Sequence, residues 1–425
     1  MHTELMSKKI ENGEFDERFV DIYVDASKLE YQKNRYIEAI KKFENSYGPG
    51  EIELFSAPGR SEVGGNHTDH QYGEVLAASI NLDTIGIVRK TDDNTIRIIS
   101  DDYAEVIISL DDIGLKEEEK ETTVALVKGV VAGLVDRGYK VGGFRAYATS
   151  DVLIGAGLSS SAAFETLIGT IMSGLYNDMS ISAVEIAIIG QYAENVYFGK
   201  PCGLMDQMAC SVGNLVHIDF EKPTNPQVEK LHFNMSDYGY SLCITDTKGS
   251  HADLTDDYAA VPQEMKAVAA YFGKDVLREV ELTEVMKAIP VLRTKLGDRS
   301  VLRALHFFTE NERVQKEVTS LKQGDIESFL KAVKASGDSS FKYLQNVYSN
   351  GDVMNQNISI ALLMSDITLK TEGVSRVHGG GFAGTIQAFV KNEFVLPYKM
   401  QMDNIFGEGS CKDLRIRKYG GIKVI

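Results

Sequence analysis

The chain has 425 residues, 43% apolar and 25% charged, the balance of an ordinary globular protein of roughly two or three domains. A formal net charge of −16 excludes a general nucleic-acid binder, which needs a basic face, and means that any bound polyphosphate is held by local groups against the field of the whole molecule. Four scattered cysteines without a CxxC pair argue against structural zinc or a disulfide framework, and no signal-type or membrane-length apolar run occurs; the expectation is a cytoplasmic protein without a membrane partner.

Residues 1–25 are polar and mixed in charge and read as an N-terminal arm or a loose helix. From Tyr31 to Phe43 apolar residues recur at helical spacing, and Gly48-Pro49-Gly50 ends that helix. Glu51 to Phe55 alternates like a strand, and Val75 to Val88 and Thr95 to Ser109 are strands rich in Ile and Val. Thr122 to Arg137 reads as a helix, Phe144 to Ala148 as a strand, and Ala162 to Tyr176 and Ile181 to Phe198 as two further helices. Val216 to Phe220 and Gly239 to Thr247 are strands around the loop Glu221 to Pro226, which divides the chain into domains at 26–222 and 223–425. Beyond it, helices (260–271, 301–321, 326–347, 353–369) alternate with strands near Ile386–Val390 and Gly421–Ile425. Helices laid on one face of mixed sheets give an α+β class, and there are no internal repeats.

The stretch Gly155-Ala156-Gly157-Leu158-Ser159-Ser160-Ser161-Ala162-Ala163 is the most informative. Glycines let backbone N–H groups approach a ligand, and the N-terminus of the following helix adds unpaired donors and partial positive charge. Three hydroxyls add short donors and a candidate metal ligand, so the stretch suits a polyphosphate with its Mg²⁺; the same pattern also fits a flexible loop ahead of a buried helix. No GxxxxGK[ST] run and no dinucleotide fingerprint occurs, which excludes a P-loop enzyme.

Two other segments, Ala57-Pro58-Gly59-Arg60-Ser61-Glu62-Val63-Gly64-Gly65-Asn66-His67-Thr68-Asp69-His70 and Gly379-Gly380-Gly381-Phe382-Ala383-Gly384, flank the serine stretch in order. Together the three resemble the motifs of the GHMP small-molecule kinases, and the His67-Thr68-Asp69 core is similar to the galactokinase branch. The resemblance runs from about Tyr31 onward and implies two domains, the first like ribosomal protein S5 domain 2 and the second ferredoxin-like. It implies ATP and Mg²⁺ as cofactors, a sugar as the other small-molecule partner, and a monomer or weak homo-oligomer. The implied reaction is phosphorylation of the C1 hydroxyl of galactose.

The resemblance also distributes roles. Asp206, in Pro201-Cys202-Gly203-Leu204-Met205-Asp206-Gln207, matches the catalytic aspartate; by itself it equally suits a helix cap. Arg60 would keep that carboxylate ionised and stabilise the moving phosphoryl group, or else form a surface ion pair. Gly155, Gly157, Leu158, Ser159, Ser160, Ser161 and Ala162 would hold ATP. Ser161 and Glu194 would hold the metal, a hard-oxygen set suited to Mg²⁺, although Glu194 also reads as a solvent-facing helix residue. Asn66, His67, Asp69, Gly203 and Tyr258 would face the sugar. The helix Arg303 to Val314 matches a family helix and reads as scaffold.

Four positions depart from the family pattern: Glu62 stands for its Asn, Gly64 for its Ile, Asn66 for its Glu and His70 for its Tyr. The family glutamate accepts a hydrogen bond from the C6 hydroxyl of galactose. An amide at Asn66 can accept or donate and carries no charge, so it would also admit a C6 carboxylate. Galacturonate, or another galacto-configured sugar, is therefore the alternative substrate. A catalytically silent sugar sensor is a further alternative, and the intact Ser161-Ala162-Ala163 and Asp206 weigh against it.

Overall fold

The computed structural model describes residues 1–101, 103–152, 157–249 and 254–425. The chain builds two sheets. The first contains β1 (Glu53–Gly64), β2 (Glu74–Lys90), β3 (Thr95–Ser100), β4 (Val106–Ser109), β5 (Phe144–Ser150), β6 (Leu215–Asp219) and β7 (Gln227–Leu231). The second contains β8 (Tyr240–Asp246), β9 (Gly373–Val377), β10 (Thr385–Lys391) and β11 (Cys411–Leu414), and the chain then returns as β12 (Ile422–Lys423) to the first.

The first sheet runs β12-β1-β2-β5-β3-β4, with β6 beside β2 and β7 beside β6. Its period-2 alternation sends side chains to two cores. Phe55, Val88 and Ala146 face the helices 123–136, 160–176 and 183–192, while Leu54, Ile85, Ile87 and Tyr147 face the N-terminal helices. The second sheet has the order β11-β8-β10-β9, every neighbouring pair antiparallel, and its connections make a βαββαβ unit. That is the ferredoxin-like order the resemblance implied. Leu242, Ile244 and Phe389 face the helices 298–323 and 326–339; Cys243, Ala388 and Val390 face helices 357–369 and 395–406.

Residues 1–25 are not a loose arm. They form helices Thr3–Glu11 and Asp16–Tyr23, whose stripes Met6/Ile10 and Phe19/Ile22/Tyr23 are buried against Tyr36, Ile40 and Phe43. The Tyr23 hydroxyl reaches Asp83 at 2.9 Å, and Arg35 and Arg417 pair with the same wholly buried carboxylate at 2.6 and 2.9 Å. These bonds fasten both chain ends to β2. Residues 227–231 and 422–423 belong to the first sheet, so the chain crosses between sheets more than once rather than dividing cleanly after 222. Residues 95–109 are two strands, and the C-terminal half contains a helix, Leu282–Leu296, and strands β9 and β11 that the sequence pattern did not single out.

Candidate active site

The site lies where β1, the start of helix Ser160–Tyr176 and the start of helix Met205–Val212 meet. Register shifts in the β1–β2 pair fall at Pro58/Arg60 and Glu62/Gly64, and such irregularities re-aim side chains. Arg60 Nε donates to Asp206 Oδ1 at 2.7 Å and Nη2 to Oδ2 at 2.8 Å, a two-pronged charge-assisted pair. Its Nη1 donates to the Gly157 carbonyl, and the Ser159 hydroxyl donates to Asp206 Oδ2. Burial alone would raise the pKa of Asp206, but Arg60 and then Ser159 outweigh it and hold the carboxyl below its ordinary value.

This geometry decides two alternatives. Asp206 is the second residue of its helix and caps nothing, since both oxygens are spent on Arg60 and Ser159. Arg60 is no surface ion pair: its side chain is 7% exposed, whereas 32% of the Asp206 side chain stays open. A reachable, ionised carboxylate backed by a buried guanidinium is the arrangement a general base requires.

The serine loop rests on β1. The Arg60 N–H donates to the Leu158 carbonyl at 3.1 Å, and a Cβ on Gly59 would stand 2.8 Å from that oxygen, so only glycine permits the approach. Helix Ser160–Tyr176 begins at Ser159, which is left-handed and makes no side-chain cap bond. The N–H groups of the first turn therefore remain available to a ligand. Ser159, Ser160 and Ser161 are partly exposed; Leu158 and Ala162 turn their side chains into the core and can contribute only backbone. Gly155 lies outside the described residues, as does the segment 250–253.

Glu194 is not solvent-facing. Its side chain is 5% exposed, on a short π-helical stretch (Ala193–Phe198) that extends helix Ala183–Tyr192. Ser161 Oγ donates to Glu194 Oε1 at 3.3 Å, Lys200 stands 3.5 Å from the same oxygen, and Gln207 Nε2 donates to Oε2 at 2.8 Å. Gln207 Nε2 also donates to Glu165 Oε2 at 3.1 Å. Glu165 was not singled out from the sequence. It is 1% exposed, and burial followed by the charge of Glu194 pushes its carboxyl well up. Among the described residues, Glu165 Oε1 and Gln207 Oε1 are buried acceptors with no donor, and no group of three His, Cys, Asp or Glu side chains forms a complete metal cage. Mg²⁺ bound with nucleotide takes only one or two carboxylates, and a cluster of oxygens short of donors fits it.

The sugar loop carries the largest departure from expectation. Asn66 is wholly buried and its amide is used up by protein: Nδ2 donates to Glu62 Oε1 at 2.9 Å and Gly379 O at 2.7 Å, while Oδ1 accepts from Asn346 Nδ2 at 2.8 Å and Ser340 Oγ at 3.2 Å. It clamps the loop to the glycine-rich turn, which leaves it no atom for a sugar. Glu62, paired with Arg376 at 2.7 Å, is pushed up to about 7 by burial against the pull of that guanidinium. The helix Asp298–Gln323 supplies the remaining support. His306 contacts the Asn66 carbonyl at 3.0 Å, and Glu310 accepts from the Gly65 and Asn66 N–H groups at 3.2 and 3.4 Å. This is the scaffold role expected of that helix.

His67 has a positive φ of 61°, and its Nε2 lies 3.0 Å from Gly380 O. Burial, then the His70 ring stacked 5.7 Å away, pushes its pKa down to about 4, so the ring is neutral. Asp69 lies against Gly203, where any Cβ would collide with Oδ2. A cavity of about 200 Å³ is lined by Asp69, His70, Cys202 and Gly203. Tyr258 donates its hydroxyl to Gly381 O at 2.7 Å and meets Phe382 edge-on. His378, a residue sequence reasoning missed, accepts the Glu62 N–H at 3.2 Å through Nε2, with Nδ1 2.9 Å from Thr385 Oγ1.

Residues 41–90 match the galactokinase galactose-binding signature and residues 125–214 the GHMP kinases N terminal domain. The galactokinase of Actinobacillus pleuropneumoniae serotype 3 is 30% identical over 365 residues, spanning 84% of this chain and 90% of the relative. That of Clostridium tetani is 29% identical over 386 residues, 89% and 95% of the two chains. Lactococcus lactis galactokinase complexed with galactose superposes with a TM-score of 0.76 at 22% identity, covering 90% of this chain and 98% of the other. Methanococcus jannaschii mevalonate kinase superposes at 0.62 with 15% identity, covering 86% and 99%. The two-domain α+β fold is thus that of the GHMP kinases.

Proposed function

The chain belongs to the galactokinase family, and we propose that it transfers the γ-phosphoryl group of ATP to the C1 hydroxyl of galactose, giving galactose 1-phosphate and ADP. The observation that carries the mechanism is the Arg60–Asp206 pair at the mouth of the serine loop. Asp206 orients the attacking hydroxyl and takes its proton. Arg60 keeps Asp206 ionised and supplies positive charge beside the moving phosphoryl group. The first turn of helix Ser160–Tyr176 receives the phosphates on backbone N–H and serine hydroxyl groups. Ser161 and Glu194 would hold Mg²⁺, which when bound would neutralise phosphate charge. Asp69 and His67 are offered to the sugar hydroxyls, and Gly203 gives Asp69 its room.

A second reading, a galacto-configured sugar carrying a carboxylate at C6, is favoured by one observation: position 66 holds a sealed, neutral amide instead of an acid. The test is ADP release with Mg-ATP on galactose, galacturonate, N-acetylgalactosamine and glucose, with Asp206→Asn as the blank. Preference for galactose supports the first reading and preference for galacturonate the second. Silence on all four with sugar binding intact would leave a sensor.

A further inference from the structure

Glu165 and Gln207 have no part in the mechanism above, yet both are buried directly behind Glu194. Both are essentially inaccessible, at 1% and 0%, and each keeps a buried oxygen without a donor. Such atoms cost about 1–3 kcal/mol each when left unmatched, and here the two stand beside the residues offered to the metal. Glu165 follows Ser161 by four residues on one helix, which sets the two on the same face. Gln207 follows Asp206 directly and spans the gap between the carboxylates, its two amide hydrogens going to Glu165 Oε2 at 3.1 Å and Glu194 Oε2 at 2.8 Å. In this placement Nε2 faces both carboxylates, and each Oε2 accepts from it. With Oε2 fixed, Glu194 is left with Oε1 beside Ser161 Oγ, at a loose 3.3 Å.

We propose that Gln207 and Glu165 form the outer layer of the metal site, orienting Glu194 so that Oε1 and the Ser161 hydroxyl face one cation. The inference rests on the assignment of Ser161 and Glu194 to Mg²⁺ made above. Glu165 acts through Gln207, as a positioning residue: its acceptor fixes the amide, and the amide fixes the ligand. Outer-layer partners of this kind change metal affinity by about 10–100-fold when removed.

The test is Mn²⁺ binding to the full-length protein with ADP, read by electron paramagnetic resonance without turnover, alongside galactose affinity measured calorimetrically without nucleotide. Glu165→Ala and Gln207→Ala are each expected to weaken Mn²⁺ binding about tenfold or more with sugar affinity unchanged. Glu165→Gln, which keeps an acceptor for Gln207, restores it. Should Glu165→Ala fail to fold, Gln207→Ala and Glu165→Gln carry the test. Wild-type binding of Mn²⁺ with both alanine variants within about threefold of it overturns the inference alone. Wild-type protein that binds no Mn²⁺ with ADP overturns the metal assignment itself, and the inference with it.

Discussion

Asn66→Asp changes one atom pair in shape-neutral fashion and should be among the most damaging substitutions in the sugar loop. The native Nδ2 donates to Glu62 Oε1 at 2.9 Å and to Gly379 O at 2.7 Å; an oxygen there meets two acceptors. Losing two buried bonds and stranding their acceptors costs roughly 2–4 kcal/mol. A second negative charge about 4 Å from Glu62 adds up to ~4 kcal/mol at an effective dielectric near 20, partly offset by Arg376. The sum, about 4–6 kcal/mol, rivals the whole stability of many domains. A proton can relieve it. Glu62 already titrates near 7 instead of 4.5, and two acids side by side retain one proton to still higher pH. A folded-state pKa raised above the unfolded value favours folding below the unfolded pKa, and the benefit is lost as pH rises through the folded one. The deficit should therefore be small near pH 5 and largest above pH 8. Urea unfolding followed by far-ultraviolet circular dichroism at both pH values measures it, the chain having no tryptophan. A variant within about 0.5 kcal/mol of wild type at both pH values, with altered sugar affinity, would refute the clamp and return Asn66 to the sugar.

Three further expectations follow from the geometry. Asp206→Asn should keep sugar affinity while turnover falls by about 10²–10⁴; normal turnover in single-turnover quench-flow would remove Asp206 from the base role. Gly203→Ala should drive a methyl into Asp69 and weaken galactose binding about tenfold or more, read by calorimetry, because the displaced carboxylate leaves its hydroxyl partners unmatched. Glu310, held down to about 2 by His306, Arg313 and Arg376 against the cost of burial, contributes stability that is present above its unfolded value of 4.5 and lost as pH falls through 2. Glu310→Gln should thus cost about 3 kcal/mol at pH 7 and about half that at pH 3, a gap that urea titrations at the two pH values resolve.

What could be read in the sequence was local chemistry. Gly157 to Ser161, Arg60 and Asp206 are residue types that phosphate and proton chemistry require, and each sits in a segment whose backbone is fixed by neighbours. The clamp at Asn66 was not legible because three of its four partners, Gly379, Ser340 and Asn346, stand more than 270 positions away and no local pattern ties them to it. The packing of the N-terminal helices was not legible because their buried stripes are two or three residues wide in strongly charged segments; burial against Tyr36 and Phe43 makes them helices that stay. Glu165 did leave a signal. It is the sole charged residue between Ala162 and Tyr176, and a lone acid in an apolar helix must meet a partner in the fold.

The two halves of the site differ in what their ligand-facing polar groups already contact. On the sugar side, the polar atoms of Asn66, the His67 Nε2 and the Tyr258 hydroxyl all contact protein, two of them through the carbonyls of Gly380 and Gly381. The space among Gly157, Tyr258, His378 and Gly380 is about 30 Å³, room for a water or two. A hexose reaching Tyr258 from that side must displace the glycine turn and exchange its bonds to Asn66, His67 and Tyr258. On the metal side, Glu165 and Gln207 hold acceptors that no donor meets. Arg60 and Lys200 are paired with Asp206 and Glu194, so among the described residues of the site the backbone, the hydroxyls and an incoming cation join them in balancing a triphosphate in a chain of net charge −16. The Asn66 amide on the sugar side is closed by protein bonds, whereas the first-turn N–H groups of helix Ser160–Tyr176 stay open for a ligand.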